Sequence, residues 1–233
     1  MVVRVAIPSK GRLLRATLDW LSGRGFQFKK LESERRYEIS TDSVKGLDFV
    51  LLPAAEIPRE LATGRIHFGV TGTDLIYEKL PRHSTEVIEK KRLGFGLATL
   101  VIAVPCFWID VDTLDDLDAV AADFRERHNM RLRVATKYHH LTRTFLGRAG
   151  VADYALVDSQ GSTEGAIKNE LADVISDITS TGETLRQNHL KILSDGIILK
   201  SQATLWESCK AEYSQGDRET QAAFLTKLIG IEY

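Results

Sequence analysis

The stretch that decides the fold is Ala172–Leu185, ADVISDITSTGETL, in which an apolar run ends in an acid and a Thr/Ser/Gly turn opens onto a helix. A strand, a tight turn and a helix in this order form the repeating unit of α/β sheets. Gly182 tolerates the left-handed backbone angles that such a turn requires. The backbone N–H groups of residues 179–184 can therefore converge on an anion at the start of the helix, which predicts a phosphate cradle.

Asp177 lies at the predicted carboxyl end of the strand, beside this turn. A carboxylate does not bind phosphate, but it accepts hydrogen bonds from vicinal sugar hydroxyls or approaches a phosphate-bound Mg²⁺. A 5-phosphorylated ribose satisfies the turn and the acid together. An alternative needs no ligand, because Ser180 and Glu183 have the S-x-x-E spacing of a helix capping box.

Composition bounds the class of protein without choosing its function. The 233 residues are 43% hydrophobic and 27% charged with a formal net charge of −1, which is ordinary for a globular protein and argues against nucleic acid as a partner. Cys106 and Cys209 lie far apart, so we expect reduced thiols in a cytoplasmic protein rather than a disulfide or a metal site. We expect neither a signal peptide nor a membrane span, because every apolar run is too short.

Strand-like and helix-like segments alternate along the chain in two sets, which predicts an α/β fold with two lobes. The first set begins at VVRVAI and the second at RLRVAT, and the long apolar segment GFGLATLVIAVP lies between them. The later segment LKILSDGIILKSQATLWES suggests a return to the first lobe, and ETQAAFLTKLIG closes the chain as an amphipathic helix. The predicted lobes are residues 1–93 with 191–233, and residues 94–190.

With its flanks, the opening stretch resembles the signature of the ATP phosphoribosyltransferases, which catalyse the first step of histidine biosynthesis. The resemblance runs from Glu164 through Asp177 and Gly182 to Leu185. Further segments resemble the same family in the same order: IPSKGRL (residues 7–13), GRIHFGVTGTD (64–74), VATKYHHLTRTFL (134–146) and GSTE (161–164).

This resemblance implies two lobes of periplasmic-binding-protein type around a central cleft. It implies transfer of the 5-phosphoribosyl group of phosphoribosyl pyrophosphate (PRPP) to N1 of ATP, with Mg²⁺ as cofactor, carried by the substrates near Asp177 rather than by a protein metal site. Longer relatives add a C-terminal histidine-sensing domain, for which we expect no room after Tyr233. The chain is therefore expected to be the short form, a homodimer that associates with a regulatory subunit related to histidyl-tRNA synthetase.

The resemblance also assigns site residues, in overlapping groups. The expected catalytic residues are Asp177, Lys10, Arg12 and Glu164. The expected PRPP-binding residues are Asp177, Thr179, Ser180, Thr181, Gly182, Glu183 and Thr184. The expected ATP- and pyrophosphate-binding residues are Lys10, Gly11, Arg12, Arg36 or its neighbour Arg35, Gly72, Thr73, Asp74, Gly161 and Ser162.

Several of these residues have an interpretation that involves no ligand. Lys10 and Arg12 follow the first strand, where α/β crevices bind ligands, but basic residues at a helix start are usually solvated and Ser9 can simply cap the helix. The Gly72–Asp74 turn is equally consistent with an ordinary capped helix.

Two positions depart from the family pattern: Glu170 replaces an expected glycine, and Pro53 stands where relatives often have a cation. Two other functions remain as alternatives, namely a two-lobed solute-binding or sensor protein without turnover and a phosphoribosyltransferase for another base. The second is disfavoured because Ser176 precedes Asp177, where the common nucleobase enzymes have an acidic pair.

Overall fold

The computed structural model describes residues 2–28, 38–41, 43–159, 163 and 165–230, with the side chains of residues 38–40 and 229 outside the description. The chain divides into two compact units, Met1–Gly96 with Gln202–Tyr233, and Leu97–Ser201. Each unit is a mixed sheet with helices, which confirms the predicted α/β class.

In chain order, the helices and strands are β1 (Val3–Pro8), α1 (Gly11–Ser22), β2 (Glu38–Ser40), β3 (Leu47–Leu52), α2 (Ile57–Ala62), β4 (Phe68–Gly72), α3 (Thr73–Lys79), α4 (His83–Glu86), β5 (Val87–Arg92), β6 (Ala98–Pro105), α5 (Leu114–His128), β7 (Leu132–Thr136), α6 (His139–Arg148), β8 (Tyr154–Asp158), α7 (Gly165–Lys168), β9 (Val174–Thr179), α8 (Glu183–Gln187), β10 (Leu190–Ser201), β11 (Ala203–Ser208) and α9 (Gln215–Ile229). Among the described helices, none combines the length and the apolarity that crossing a bilayer requires.

The sheet of the first unit has the order β2-β3-β1-β4-β11-β5 within the described residues. Strands β3, β1 and β4 are parallel, whereas β2, β11 and β5 are antiparallel to their neighbours. Alternation along β1 sends Val5 into a core with Phe224 of α9 and sends Ala6 into a second core with Ile57 of α2. Both faces of this sheet are therefore covered, and each fully buried large side chain contributes about 1.5–3 kcal/mol.

The sheet of the second unit has the order β10-β6-β9-β7-β8 within the described residues. Strands β9, β7 and β8 are parallel, and β6 is antiparallel to both of its neighbours. Val134 of β7 packs with Leu117 of α5 on one face, while Ile175 of β9 packs with Leu185 of α8 on the other. Helix α8, which follows the predicted cradle, is thus anchored by a buried leucine.

The predicted lobe boundaries lie earlier in the chain than the observed ones. Strand β10, which the sequence reading assigned to the return into the first lobe, instead pairs with β6 from Leu190↔Pro105 to Ser201↔Ala98. The chain re-enters the first unit only at Gln202. The pairing of two strands about ninety residues apart leaves no local mark in the sequence.

Candidate phosphate-binding site

Three neighbouring parallel strands of the second unit end at the same edge of the sheet. Thr136 of β7 pairs with Asp158 of β8 and with Ser176 of β9. In the chain, α6 follows β7, α7 follows β8 and α8 follows β9. Open α/β sheets bind their ligands at the carboxyl ends of parallel strands, so this edge is the candidate site of the second unit.

The turn after β9 has the backbone that the sequence predicts. Gly182 has φ +74° and is the N-cap residue of α8. Its N–H donates to Thr179 Oγ1 at 2.8 Å, and the N–H of Glu183 donates to Thr181 Oγ1 at 3.3 Å. The hydroxyls of Thr179 and Thr181 thus accept hydrogen bonds from two backbone amides of the turn. In an anion-binding turn, such amides donate to phosphate oxygens.

Two other amides at this turn differ from those of Gly182 and Glu183. Among the described residues, no intramolecular hydrogen bond is made by the N–H groups of Thr181 and Thr184. The side chains of Ser180, Thr181 and Thr184 are exposed as well. Because the first N–H groups of a helix lack intrahelical acceptors, these donors are available to an anion from solvent.

The capping box that the sequence allowed between Ser180 and Glu183 is absent. Ser180 Oγ donates to the carbonyl of Leu97 at 3.2 Å, and the N-cap residue of α8 is Gly182, which makes no side-chain cap bond. Glu183 instead accepts from Arg186 and Gln187. The predicted capping box is therefore wrong, because the N-cap residue of α8 is Gly182, two residues after Ser180.

Asp177 lies inside β9 rather than at its end, because the strand continues to Thr179. The residue pairs with Val101 of β6, is half-buried, and accepts the N–H of Ile178 on Oδ1 at 2.8 Å. The preceding Ser176 is fully buried, with Oγ 2.7 Å from Thr142 Oγ1 of α6. Alternation along the strand places a second acid at Ser176 inside the core, which explains why an acidic pair does not fit here.

Lys10, Gly11 and Arg12 follow β1 at the carboxyl edge of the parallel strands in the first unit. Lys10 is the N-cap of α1 without a side-chain cap bond, and Gly11 has φ +76°. Ser9 is therefore not the capping residue. The side chains of Lys10 and Arg12 are both exposed, which fits ligand binding and simple solvation equally. Their assignment to the ATP and pyrophosphate site stays a prediction.

The Gly72–Asp74 turn is buried. Thr73 is 5% exposed, and its N–H and its hydroxyl both donate to the carbonyl of Gln202, at 3.1 and 3.3 Å. Asp74 is 6% exposed. The Thr73 amide thus already has an acceptor in the protein, and the assignment of this turn to ATP or pyrophosphate stays a prediction.

Five predicted residues lie outside the described residues, so their assignments stay predictions: Arg35, Arg36, Gly161, Ser162 and Glu164. Within that last segment Thr163 is described and fully buried, with Oγ1 2.7 Å from Ser159 Oγ.

Two groups near this edge were not assigned to the site from the sequence, which marked His139 only as a histidine at a helix start. His139 Nε2 lies 2.6 Å from Asp158 Oδ1, which links the start of α6 to the end of β8. Arg186 lies on α8 one turn after Glu183, at the i,i+3 spacing that could have signalled the pair.

Glu170 occupies a backbone conformation that favours glycine, with φ +56°. The family pattern expects glycine at this position, and the observed backbone gives the physical reason. Pro53, the other departure, is exposed in the turn after β3, where its carbonyl accepts from Glu56 N at 2.8 Å.

The described residues contain no group of three or more His, Cys, Asp or Glu side chains placed to hold a metal ion. Cys106 and Cys209 are free and exposed. Asp177 offers one carboxylate beside the phosphate-binding turn. This donor set fits an Mg²⁺ ion bound mainly by substrate phosphates, as that ion commonly is.

Two α/β units, one of them with an exposed strand-to-helix turn beside a carboxylate, are typical of a two-lobed binding-protein type of fold. Solved structures of low identity share this fold. The alkanesulfonate-binding protein SsuA from Xanthomonas axonopodis has a TM-score of 0.52 at 13% identity, covering 97% of this chain and 71% of that one. XAC2383 from Xanthomonas citri, solved bound to ATP, has a TM-score of 0.56 at 14% identity, covering 98% of this chain and 82% of that one. These likenesses confirm the predicted two-lobed binding-protein type of fold.

Sequence comparison is more specific. The HisG family model, described as ATP phosphoribosyltransferase, matches residues 53–229. The ATP phosphoribosyltransferase of Cereibacter sphaeroides is 59% identical over 92% of this chain and 91% of its own length, and that of Mesorhizobium japonicum is 46% identical over 97% and 98%. An ATP phosphoribosyl transferase (HisG:HisZ) complex from Thermotoga maritima has a TM-score of 0.73 at 26% identity, covering 97% and 96%. The chain belongs to the ATP phosphoribosyltransferase family.

Proposed function

We propose that this chain transfers the 5-phosphoribosyl group of PRPP to N1 of ATP and releases pyrophosphate, the first step of histidine biosynthesis. The observation that carries this proposal is the family match, which includes the whole turn from Asp177 to Thr184. The exposed, uncapped amides of that turn supply the chemistry that a phosphoribosyl substrate needs. A non-catalytic solute-binding protein is not favoured, because such proteins resemble this chain in fold alone.

The turn is proposed to hold the 5-phosphate of PRPP. The N–H groups of Thr181 and Thr184 donate to phosphate oxygens, and the hydroxyls of Thr179 and Thr181 either keep their amide partners or turn to the ligand. Asp177 is proposed to accept hydrogen bonds from the ribose hydroxyls. Fixing both ends of the sugar phosphate presents its anomeric carbon in one orientation.

The reaction needs alignment more than proton transfer. The lone pair of adenine N1 forms a bond to the anomeric carbon while the bond from that carbon to the pyrophosphate oxygen breaks, and pyrophosphate leaves with the electron pair. Positive charge develops on the sugar and negative charge on the leaving group. Asp177 stabilises the positive charge on the sugar. Mg²⁺ on the substrate phosphates would neutralise part of the negative charge on the leaving group.

The test is to incubate the purified chain with ATP, PRPP and Mg²⁺ and to follow phosphoribosyl-ATP and pyrophosphate by mass spectrometry. Ribose 5-phosphate in place of PRPP is the matched control, because it retains the 5-phosphate but lacks the leaving group. Ligand binding without product would support the solute-binding alternative. Product with adenine, guanine or another base in place of ATP would support the other phosphoribosyltransferase.

The proposed setting is a cytoplasmic homodimer that works with a regulatory subunit. The Thermotoga maritima relative was solved as a HisG:HisZ complex, which supports a partner for this chain. Light scattering during size-exclusion chromatography measures the oligomer of the chain alone. Co-expression with the histidyl-tRNA-synthetase-like protein of the same organism tests for the hetero-oligomer, and a histidine titration of both preparations tests whether the partner confers inhibition.

A further inference from the structure

Glu183 presents an electrostatic conflict at the proposed PRPP site. Glu183 is the first residue of α8, so its negative carboxylate is attracted to the positive N-terminal end of the helix. A phosphate bound by the same turn is attracted to that end as well, and the two negative groups repel each other. A free Glu183 side chain would therefore compete with the ligand for the same amides.

Both oxygens of Glu183 are held along the helix instead. Arg186 Nη2 donates to Oε2 at 2.7 Å, and Gln187 Nε2 donates to Oε1 at 3.1 Å. The hydrogen bond from Arg186, aided by Gln187 and by the charge of Arg186, lowers the pKa of Glu183. The carboxylate is thus ionised at neutral pH, with its charge paired on the side of the helix.

Arg186 is also tied to the turn itself. Its backbone N–H donates to the carbonyl of Gly182 at 3.0 Å, and its Nη2 lies 3.5 Å from the carbonyl of Thr181. Its Nη1 lies 3.7 Å from the position that a Cβ on Gly182 would occupy. The guanidinium therefore lies against the turn with Glu183 as its partner.

We propose that Arg186 is a positioning residue for the PRPP site, which holds the Glu183 carboxylate along α8 so that it neither caps the turn amides nor repels the 5-phosphate. This inference rests on the proposed function, because it takes the turn to bind PRPP. It changes the part assigned to Glu183, because its side chain is kept away from the phosphate instead of binding PRPP.

A charge-removal cycle tests the proposal. The variants are Arg186→Gln, Glu183→Gln and the double variant, with the dissociation constant of PRPP in Mg²⁺ measured by titration calorimetry at low salt. We expect Arg186→Gln to raise that constant about tenfold, in the range found for charge pairs. We expect Glu183→Gln in the Arg186→Gln background to restore it to within about threefold of the original chain. Added salt should weaken the effect of the single variant.

The second unit offers a matched control in Arg127 of α5. Arg127 and Asp123 form an exposed pair within one helix, with side chains 71% and 51% exposed, against 66% and 55% for Arg186 and Glu183. Arg127→Gln should leave PRPP binding unchanged. A similar small change in the unfolding temperature of both arginine variants would separate helix stability from the effect on binding.

The outcomes are distinct. Rescue that occurs only in the Arg186→Gln background, with Glu183→Gln alone changing the constant little, supports positioning. An equal gain in both backgrounds would mean that removal of a negative charge near the phosphate is the whole effect, and the proposal would be wrong. A raised constant without rescue would mean that Arg186 binds the phosphate directly, and the proposal would be wrong. Unchanged binding in Arg186→Gln would overturn it as well. If the original chain does not bind PRPP, the proposed function fails first and this inference fails with it.

Discussion

Two strand-to-helix turns of this chain have similar residues but different surroundings: Gly72–Asp74 in the first unit and Thr181–Glu183 in the second. Each combines glycine, threonine and an acid at a helix start. The first turn is buried and gives the Thr73 amide to a carbonyl of the neighbouring chain segment. The second is exposed, and within the described part of the chain the N–H groups of Thr181 and of the following helix residue Thr184 make no hydrogen bond. Similar residues thus form internal hydrogen bonds where the turn is enclosed, and they are proposed to bind a ligand where solvent reaches the turn.

The largest expected effect comes from removing the backbone freedom of the exposed turn. Gly182→Val should raise the PRPP dissociation constant about 10²–10³-fold, because left-handed backbone strain and misplaced amides add several kcal/mol. The position itself is not crowded, since an added Cβ meets only Arg186 Nη1 at 3.7 Å. Titration calorimetry measures the change.

Gly150→Val is the matched control for this prediction. Gly150 lies in the same unit with φ +83°, and a Cβ there meets nothing within 4 Å. It should lose comparable stability but keep PRPP binding. Equal loss of binding in both variants would show that strain anywhere in the unit disables the site.

Asp177→Asn should lower kcat/KM about 10²-fold, because its charge is proposed to act in the transition state. The measurement is steady-state turnover with PRPP varied. The control is Asp153→Asn, which removes a carboxylate that Arg125 binds on the same unit. Turnover of the Asp177 variant equal to that of the original chain would remove this residue from the site.

Thr73→Val should cost about 1 kcal/mol of unfolding free energy, because the hydroxyl loses its bond to Gln202 in a buried turn. Its effect on PRPP binding should be smaller than its effect on stability, because the hydroxyl already donates to a carbonyl inside the protein. Thr179→Val, the counterpart at the exposed turn, should affect binding more than stability, because it removes the acceptor of the Gly182 amide. Urea unfolding and PRPP titration of both variants test the contrast, which reversed results would contradict.

A smaller effect should follow from His67, which lies just before β4, the strand that enters the buried turn. Its Nδ1 accepts the N–H of Arg4 at 3.1 Å, and its Nε2 donates to the carbonyl of Glu212 at 3.2 Å. Burial lowers the pKa of His67 below its ordinary value of 6.5, although the charges of Asp217 and Glu207 oppose the shift. The folded state favours neutral imidazole, so its contribution to stability is present above pH 6.5 and is lost as the pH falls below it.

Urea unfolding at pH 7.5 and 5.5 measures this dependence. His67→Asn keeps an acceptor for the Arg4 amide and cannot titrate, so its unfolding free energy should change less between the two pH values. An unchanged pH dependence in His67→Asn would assign the effect to other groups.

The smallest expected effect concerns strain next to the exposed turn. Glu170→Gly should raise the unfolding free energy by about 0.5 kcal/mol, because relief of the left-handed strain is partly offset by the greater freedom of glycine in the unfolded chain. Asn129→Gly, at φ +53°, should gain less, since asparagine tolerates this conformation. A loss of stability in Glu170→Gly would mean that side-chain contacts of Glu170 outweigh its strain.

Local signals explain most of what could be predicted. The Gly182 conformation, the helix after it and the alternation of strands and helices follow from residue types within a few positions of one another. Helix α5 was missed, although Thr113 and Asp116 form a capping box at its start. The identity of the site residues came from the resemblance to the family rather than from spacing, since neither Lys10 nor Asp177 is distinctive by itself.

The sequence by itself determined the α/β class, the left-handed glycine turn and the family to which the chain belongs, because these depend on local residue order. Only the tertiary structure decided that β10 joins the second sheet, that Thr73 is enclosed, and that Ser176 is buried while the next residue is half-buried. The physical reason is that burial and hydrogen-bond partners depend on strand pairing and packing between segments far apart in the chain, which a local pattern does not specify.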